Sequence, residues 1–250
     1  MTAYAEVPTV SSTSAPGLVW LDLTRKCQLA CHHCRNESGP DGAHGSMTAP
    51  DWTRVLDEAA AAGVARVQFT GGEVTLHPDA PALVTHALKL GLADEVYSNL
   101  VHLDETWWNL FRQDNVSLAT SYYGHEDAHN TMTRRNSHAR TRANIAKAVS
   151  ERIPIRVSVI VPDPSDTGEV ARQDLAALGV RTLRVDHVRP AGRHPRRPRD
   201  RTGQRRHPGP PHPWRLPQLR AQQPLWPRQR QQPILRPRHR RRMLTGIPRK

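Results

Sequence analysis

Residues 18–34 read LVWLDLTRKCQLACHHC. An apolar run, 18–23, has the look of a strand, and a polar loop follows it carrying Cys27, Cys31 and Cys34. These are the only 3 cysteines in the chain. Three thiolates on one short loop can hold three irons of a four-iron cluster and leave the fourth iron open for a small molecule. A zinc site completed by His32 or His33 is the competing reading, since zinc accepts mixed Cys and His ligands. Such sites usually come as paired Cys-x-x-Cys knuckles, and no second pair exists. An odd number of thiols with no secretory signal argues against a disulfide.

Downstream, the apolar stretch ARVQFT at 65–70 ends in Gly71-Gly72-Glu73. A diglycine at a strand end allows close backbone approach, and a carboxylate beside it suits an ammonium. The cysteine spacing and this Gly-Gly-Glu together resemble the radical S-adenosylmethionine enzymes. The resemblance implies a [4Fe–4S] cluster on Cys27, Cys31 and Cys34. It also implies an S-adenosylmethionine site using Gly71, Gly72 and Glu73, with Glu73 near the amino group.

Outward from these motifs, strands are expected at 18–23, 65–70, 94–98, 116–121, 154–161 and 181–187. Helices are expected at 50–62, 79–90, 104–113, 137–151 and 168–178. Thr48 can cap the first helix, Pro50 sits in its first turn and Gly63 ends it. Gly91 and Gly179 punctuate later helix ends. Repeated βα units imply a parallel sheet with right-handed crossovers. Six strands are too few for a closed eight-fold barrel, so the fold class is α/β, an open partial (βα)6 TIM-like barrel. Chemistry in such folds sits at the carboxyl ends of the strands, where both motifs fall.

More residues reach the same rim. Ser98-Asn99 stands where relatives carry Thr-Asn-Gly. Ser121, before Tyr-Tyr-Gly, resembles the family's Ser-Leu-x-Gly turn, although a strand-end serine also serves as an ordinary turn cap. Arg156 lies where relatives place a basic residue near the cofactor carboxylate, and in a parallel strand it needs an acidic partner in any case. Asn99, Ser121 and Arg156 therefore join the expected cofactor site. His33 replaces the aromatic residue that relatives place before the third cysteine. His125, His129 and His138 fall in a polar stretch that resembles peptide-modifying members. His129 reads as a solvated loop residue or one facing substrate. Of the adjacent pair Trp107-Trp108, one is expected in the core.

Charge divides the chain. Net charge is +13, but residues 193–250 hold 17 Arg, one Lys and one Asp, a net of 17 + 1 − 1 = +17. The remainder carries 13 − 17 = −4, so the body is mildly acidic. The tail also has 12 of the 22 prolines and no apolar period, and with residues 1–16 it is expected to be disordered. The core is then 17–192. A tail gripping phosphate would make a nucleic-acid-binding protein, but Trp214 and Trp226 are its sole aromatics and the body is acidic, which argues against that partner.

The tail's composition resembles GC-rich DNA read out of phase, and VRPAGR at 188–193 resembles the link to a cysteine-rich SPASM-type extension. If Leu216, Leu219, Leu225 and Leu235 use codons ending in TG, one base later they and Met243 become cysteine codons. The nucleotide sequence tests this frameshift reading, under which the chain would lack substrate capture. No secretory or membrane-spanning run is present. A reducing cytoplasm, a ribosomally made peptide as substrate, and an electron donor such as flavodoxin or ferredoxin complete the expectations.

Overall fold

The computed structural model describes residues 16–163, 165–188 and 192–193. Tail disorder, the N-terminal disorder up to residue 15 and the shifted-frame positions fall outside the described residues. Six strands form one sheet in sequence order, β1 Val19–Asp22, β2 Arg66–Thr70, β3 Ala93–Tyr97, β4 Val116–Tyr122, β5 Ile155–Val161 and β6 Thr182–His187. All five pairings are parallel. The helices between them are α1 Ala49–Ala61, α2 Ala80–Lys89, α3 Glu105–Phe111, α4 Glu126–Thr133, α5 His138–Ser150 and α6 Glu169–Ala177. This is the open (βα)6 arrangement expected.

Parallel strands covered on both faces usually read as continuous apolar runs. Here they alternate. Val67, Phe69, Val96, Leu118, Val157 and Val159 form the buried convex face under the helices. Gln68, Tyr97, Ser121, Arg156 and Ser158 point to the concave side and line a cavity. A polar concave face cannot close into a dry core, so the half-barrel remains open to a ligand.

Local signals explain most elements. Thr48 and Asp51 make a capping box at α1 with Pro50 in the first turn, and Gly63 follows its end at φ +79°. Helix α4 was not expected. Its sequence EDAHNTMT is polar and rich in weak helix formers, and it ends at Arg134 in a left-handed conformation (φ 56°). Both Trp107 and Trp108 are buried in the main core, not one, because both rings pack against Phe111; the Lys147 ammonium also lies 4.1 Å from the Trp108 ring.

Asp94 lies buried on the convex face with neither carboxylate oxygen partnered among the described residues. Burial alone pushes its carboxyl up to about 8. An unfolded aspartate ionises near 3.9, so between about pH 4 and pH 8 the folded chain holds a proton that the unfolded chain has lost. Stability should therefore fall as pH rises through that window, by up to about 1.4 kcal/mol per pH unit. Denaturant titrations of Asp94→Asn across it should show a flattened slope; an unchanged slope would assign the pH dependence elsewhere.

Candidate active site

The cysteine loop leaves β1 and is pinned to the neighbouring strand end through main chain. Gly72 N donates to Thr24 O at 2.6 Å and Glu73 N to Lys26 O at 2.8 Å. A Cβ on Gly72 would sit 2.4 Å from Lys26 O, and one on Gly71 2.6 Å from Thr24 O. The diglycine thus lets two backbones touch, which no side chain would permit. From the other side, α4 offers its last carbonyls. Ala30 N donates to Thr133 O at 3.1 Å and His32 N to Met132 O at 3.0 Å, satisfying acceptors that a helix end leaves orphaned.

All three thiols line the concave cavity of about 900 Å³, together with Gly71, Gly72, Ser98, Asn99, Ser121 and Arg156. Cys27 Sγ accepts from Leu29 N (3.4 Å) and Asn99 Nδ2 (3.6 Å), and Cys34 Sγ from Ser38 N (3.2 Å). Burial pushes the Cys27 thiol up to about 12. Burial and then the neighbouring Cys34 push Cys31 up to about 11. Such thiols become anions when a metal cation stands beside them.

Among the described residues, no three His, Cys, Asp or Glu side chains converge to share one metal ion. A four-iron cluster takes one thiolate per iron, so three thiols along one wall suit it. The histidines are engaged elsewhere. His32 holds the Arg134 guanidinium at 2.8 and 3.2 Å. The His33 ring packs edge-on to Tyr123 at 5.3 Å and meets Met132 Sδ at 3.1 Å. Three thiols on one loop, lining one cavity with the diglycine, are a donor set that fits a cluster.

The Glu73 side chain lies at the strand end beside the cavity, close enough to Cys27 for its charge to raise that thiol's pKa. It is 0 % exposed and bonded to Ser98 and Asn99, which line the cavity with Gly71 and Gly72. Its carboxylate accepts from Thr75 N (3.1 Å), Thr75 Oγ1 (2.8 Å), Ser98 Oγ (2.8 Å) and Asn99 N (2.7 Å). Burial raises its pKa against the pull of these donors. The carboxylate ties the end of β2 to the end of β3. There Leu100 holds φ +57°, the left-handed position where the Thr-Asn-Gly pattern has glycine, at a strain of about 1 kcal/mol.

Arg156 found the structural acid. Its guanidinium pairs with both oxygens of Glu95 at 3.1 and 2.9 Å and lies 5.8 Å over the Tyr97 ring. Ser121 Oγ bonds Tyr97 OH at 2.8 Å. Asn99 also meets Gln28 at 3.2 and 3.3 Å. His129 is no solvated loop residue. It is buried on α4 against Tyr122, Tyr123 and His138, and burial followed by the His138 charge lowers its pKa to about 4, so it is neutral near pH 7.

Two contributors escaped the sequence reading, α4 and Arg193. Arg193 donates to carbonyls of the cysteine loop. Helix α4 starts at His125 without a side-chain cap and so gave no start signal, and Arg193 stood at the head of an arginine-rich stretch.

Known proteins are similar to this chain. PqqA peptide cyclase of Xanthomonas campestris pv. campestris is 29% identical over 155 residues, 61% of this chain and 41% of the relative. The Bradyrhizobium diazoefficiens protein of that name is 31% identical over 157 residues, again 61% and 41%. The chain thus spans about two fifths of the length of these relatives. Among solved structures, Streptococcus suis SuiB bound to precursor peptide SuiA superposes with TM-score 0.63 at 16% identity, covering 71% of this chain and 40% of SuiB, a likeness of fold. The sequence pattern of the Radical SAM superfamily matches residues 21–175, well over half of the chain, with both motifs inside it. The chain belongs to the Radical SAM superfamily.

Proposed function

We propose that this chain is a radical S-adenosylmethionine enzyme that acts on a ribosomally made peptide. The observation that carries the reading is the meeting of three thiols and the diglycine strand end on one wall of the open cavity. In this reading Cys27, Cys31 and Cys34 hold the irons of a [4Fe–4S] cluster. Gly71, Gly72 and Glu73, with Asn99 and Ser121, receive S-adenosylmethionine, Glu73 at its amino group. Arg156, already neutralised by Glu95, shapes the polar floor. When bound, the cluster and S-adenosylmethionine supply the reductive cleavage that yields a 5′-deoxyadenosyl radical for hydrogen abstraction.

The half-barrel shields the reacting centre and leaves one side open for a chain-like substrate. Similarity to two PqqA peptide cyclases supports the peptide class. A cytoplasmic setting and a flavodoxin- or ferredoxin-type electron donor belong to the same proposal. No helix among the described residues is long and apolar enough to cross a membrane.

Anaerobically reconstituted and reduced protein should convert S-adenosylmethionine to methionine and 5′-deoxyadenosine. With a deuterated peptide substrate, label should appear in the 5′-deoxyadenosine. Stoichiometric zinc with no cleavage of S-adenosylmethionine would overturn the proposal.

A further inference from the structure

The cysteine loop is held on two sides by strand β2 and helix α4, and a third hold comes from far along the chain. Arg193 N donates to Cys34 O at 3.0 Å. Its Nη1 donates to Cys31 O at 3.0 Å, and its Nη2 to Ser38 O at 2.6 Å and Glu37 O at 3.2 Å. One residue thus gathers four main-chain carbonyls spread from Cys31 to Ser38. A planar guanidinium with five donors can do this; an ammonium is a single point of charge.

The approach depends on the residue before it. Gly192 has φ +64°, and a Cβ there would lie 2.1 Å from Cys34 O and 2.3 Å from Arg35 O. No other residue lets the chain come so close. Gly192 thus meets the loop at Cys34 and Arg35, inside the Cys31–Ser38 stretch that Arg193 spans and that carries two of the three thiols.

We propose that Gly192-Arg193 is a strap that sets the Cys31–Ser38 half of the loop in the position that binds the cluster, with Arg193 as a positioning residue. The inference rests on the proposed function, because it takes the loop to be a cluster loop. Two effects separate it from a merely structural contact. The fork of bonds fixes the spacing of Cys31 and Cys34, which governs how firmly iron is kept. The positive charge beside the same two residues favours the reduced, more negative cluster, so its loss should lower the midpoint potential.

The test uses the full chain, reconstituted without air, as wild type, Arg193→Gln, Arg193→Lys and Gly192→Ala. Arg193→Gln should lose iron to a chelator about tenfold faster than wild type, with its potential moved to more negative values. Arg193→Lys should restore the potential through its charge while still losing iron quickly, because it cannot span the carbonyls. Gly192→Ala should lose iron quickly with Arg193 still present. Wild-type iron retention and potential in Arg193→Gln would overturn the strap. So would iron loss that merely follows a fall in the melting temperature of the metal-free variants, with the potential unmoved. Failure of wild type itself to take up iron would instead overturn the proposed function.

Discussion

Replacing Cys27, Cys31 or Cys34 by alanine, each alone, is expected to take the iron content from about four per chain to background. The chain has no other cysteine to substitute, and His32 and His33 are committed to Arg134, Tyr123 and Met132. The fold should survive, because the main core is built from the convex sheet face and its helices, and Cys27 lies outside it in a small patch with Leu29 and Val101. Iron and sulfide analysis beside circular dichroism separates the two outcomes. A full iron complement in any one of these variants would remove that cysteine from the ligand set.

Gly72→Ala should be nearly as damaging for a different reason. Its new Cβ would meet Lys26 O at 2.4 Å, Lys26 C at 2.8 Å and Arg25 O at 2.9 Å. These are backbone atoms that cannot rotate aside, so either the strand end or the cysteine loop must shift. A loss of about 3 kcal/mol is expected, read as a lower denaturation midpoint with iron binding impaired. Gly17→Ala, with nothing within 4 Å, serves as the neutral control. Equal midpoints for the two variants would show that the loop yields freely, and the diglycine would then lose its role as an anchor.

Much of this was legible in the chain. The cysteine spacing, the diglycine and the alternation of apolar runs with capped helices follow from local rules, which is why all six strands and five of the helices were expected within a residue or two. What stayed hidden depends on what lies across a gap. The sequence shows Glu73 as a carboxylate at a strand end but not that Ser98, Thr75 and the Asn99 amide gather round it. Arg156 has two readings until Glu95 appears two strands away. Helix α4 lacks an apolar stripe in its sequence because its work is done by terminal carbonyls, which every residue type possesses. Arg193 looked like the first residue of a cationic tail because composition averages over neighbours.

The anchoring of the cysteine loop also sets a timetable. Residues 24–38 leave the ribosome early, yet their partners are Gly72 and Glu73, Met132 and Thr133, and finally Arg193. Chains are made from the N-terminus at about 5–20 residues per second, so the loop waits on the order of ten seconds for its last support. The nascent chain thus presents three cysteines on an unfinished socket. Metal insertion before residue 193 emerges would meet a loop held on two sides only. On the proposed strap, a loop with all three holds exists only once residue 193 has been added, so a shortened chain ending before Gly192 should keep iron less firmly than the full chain.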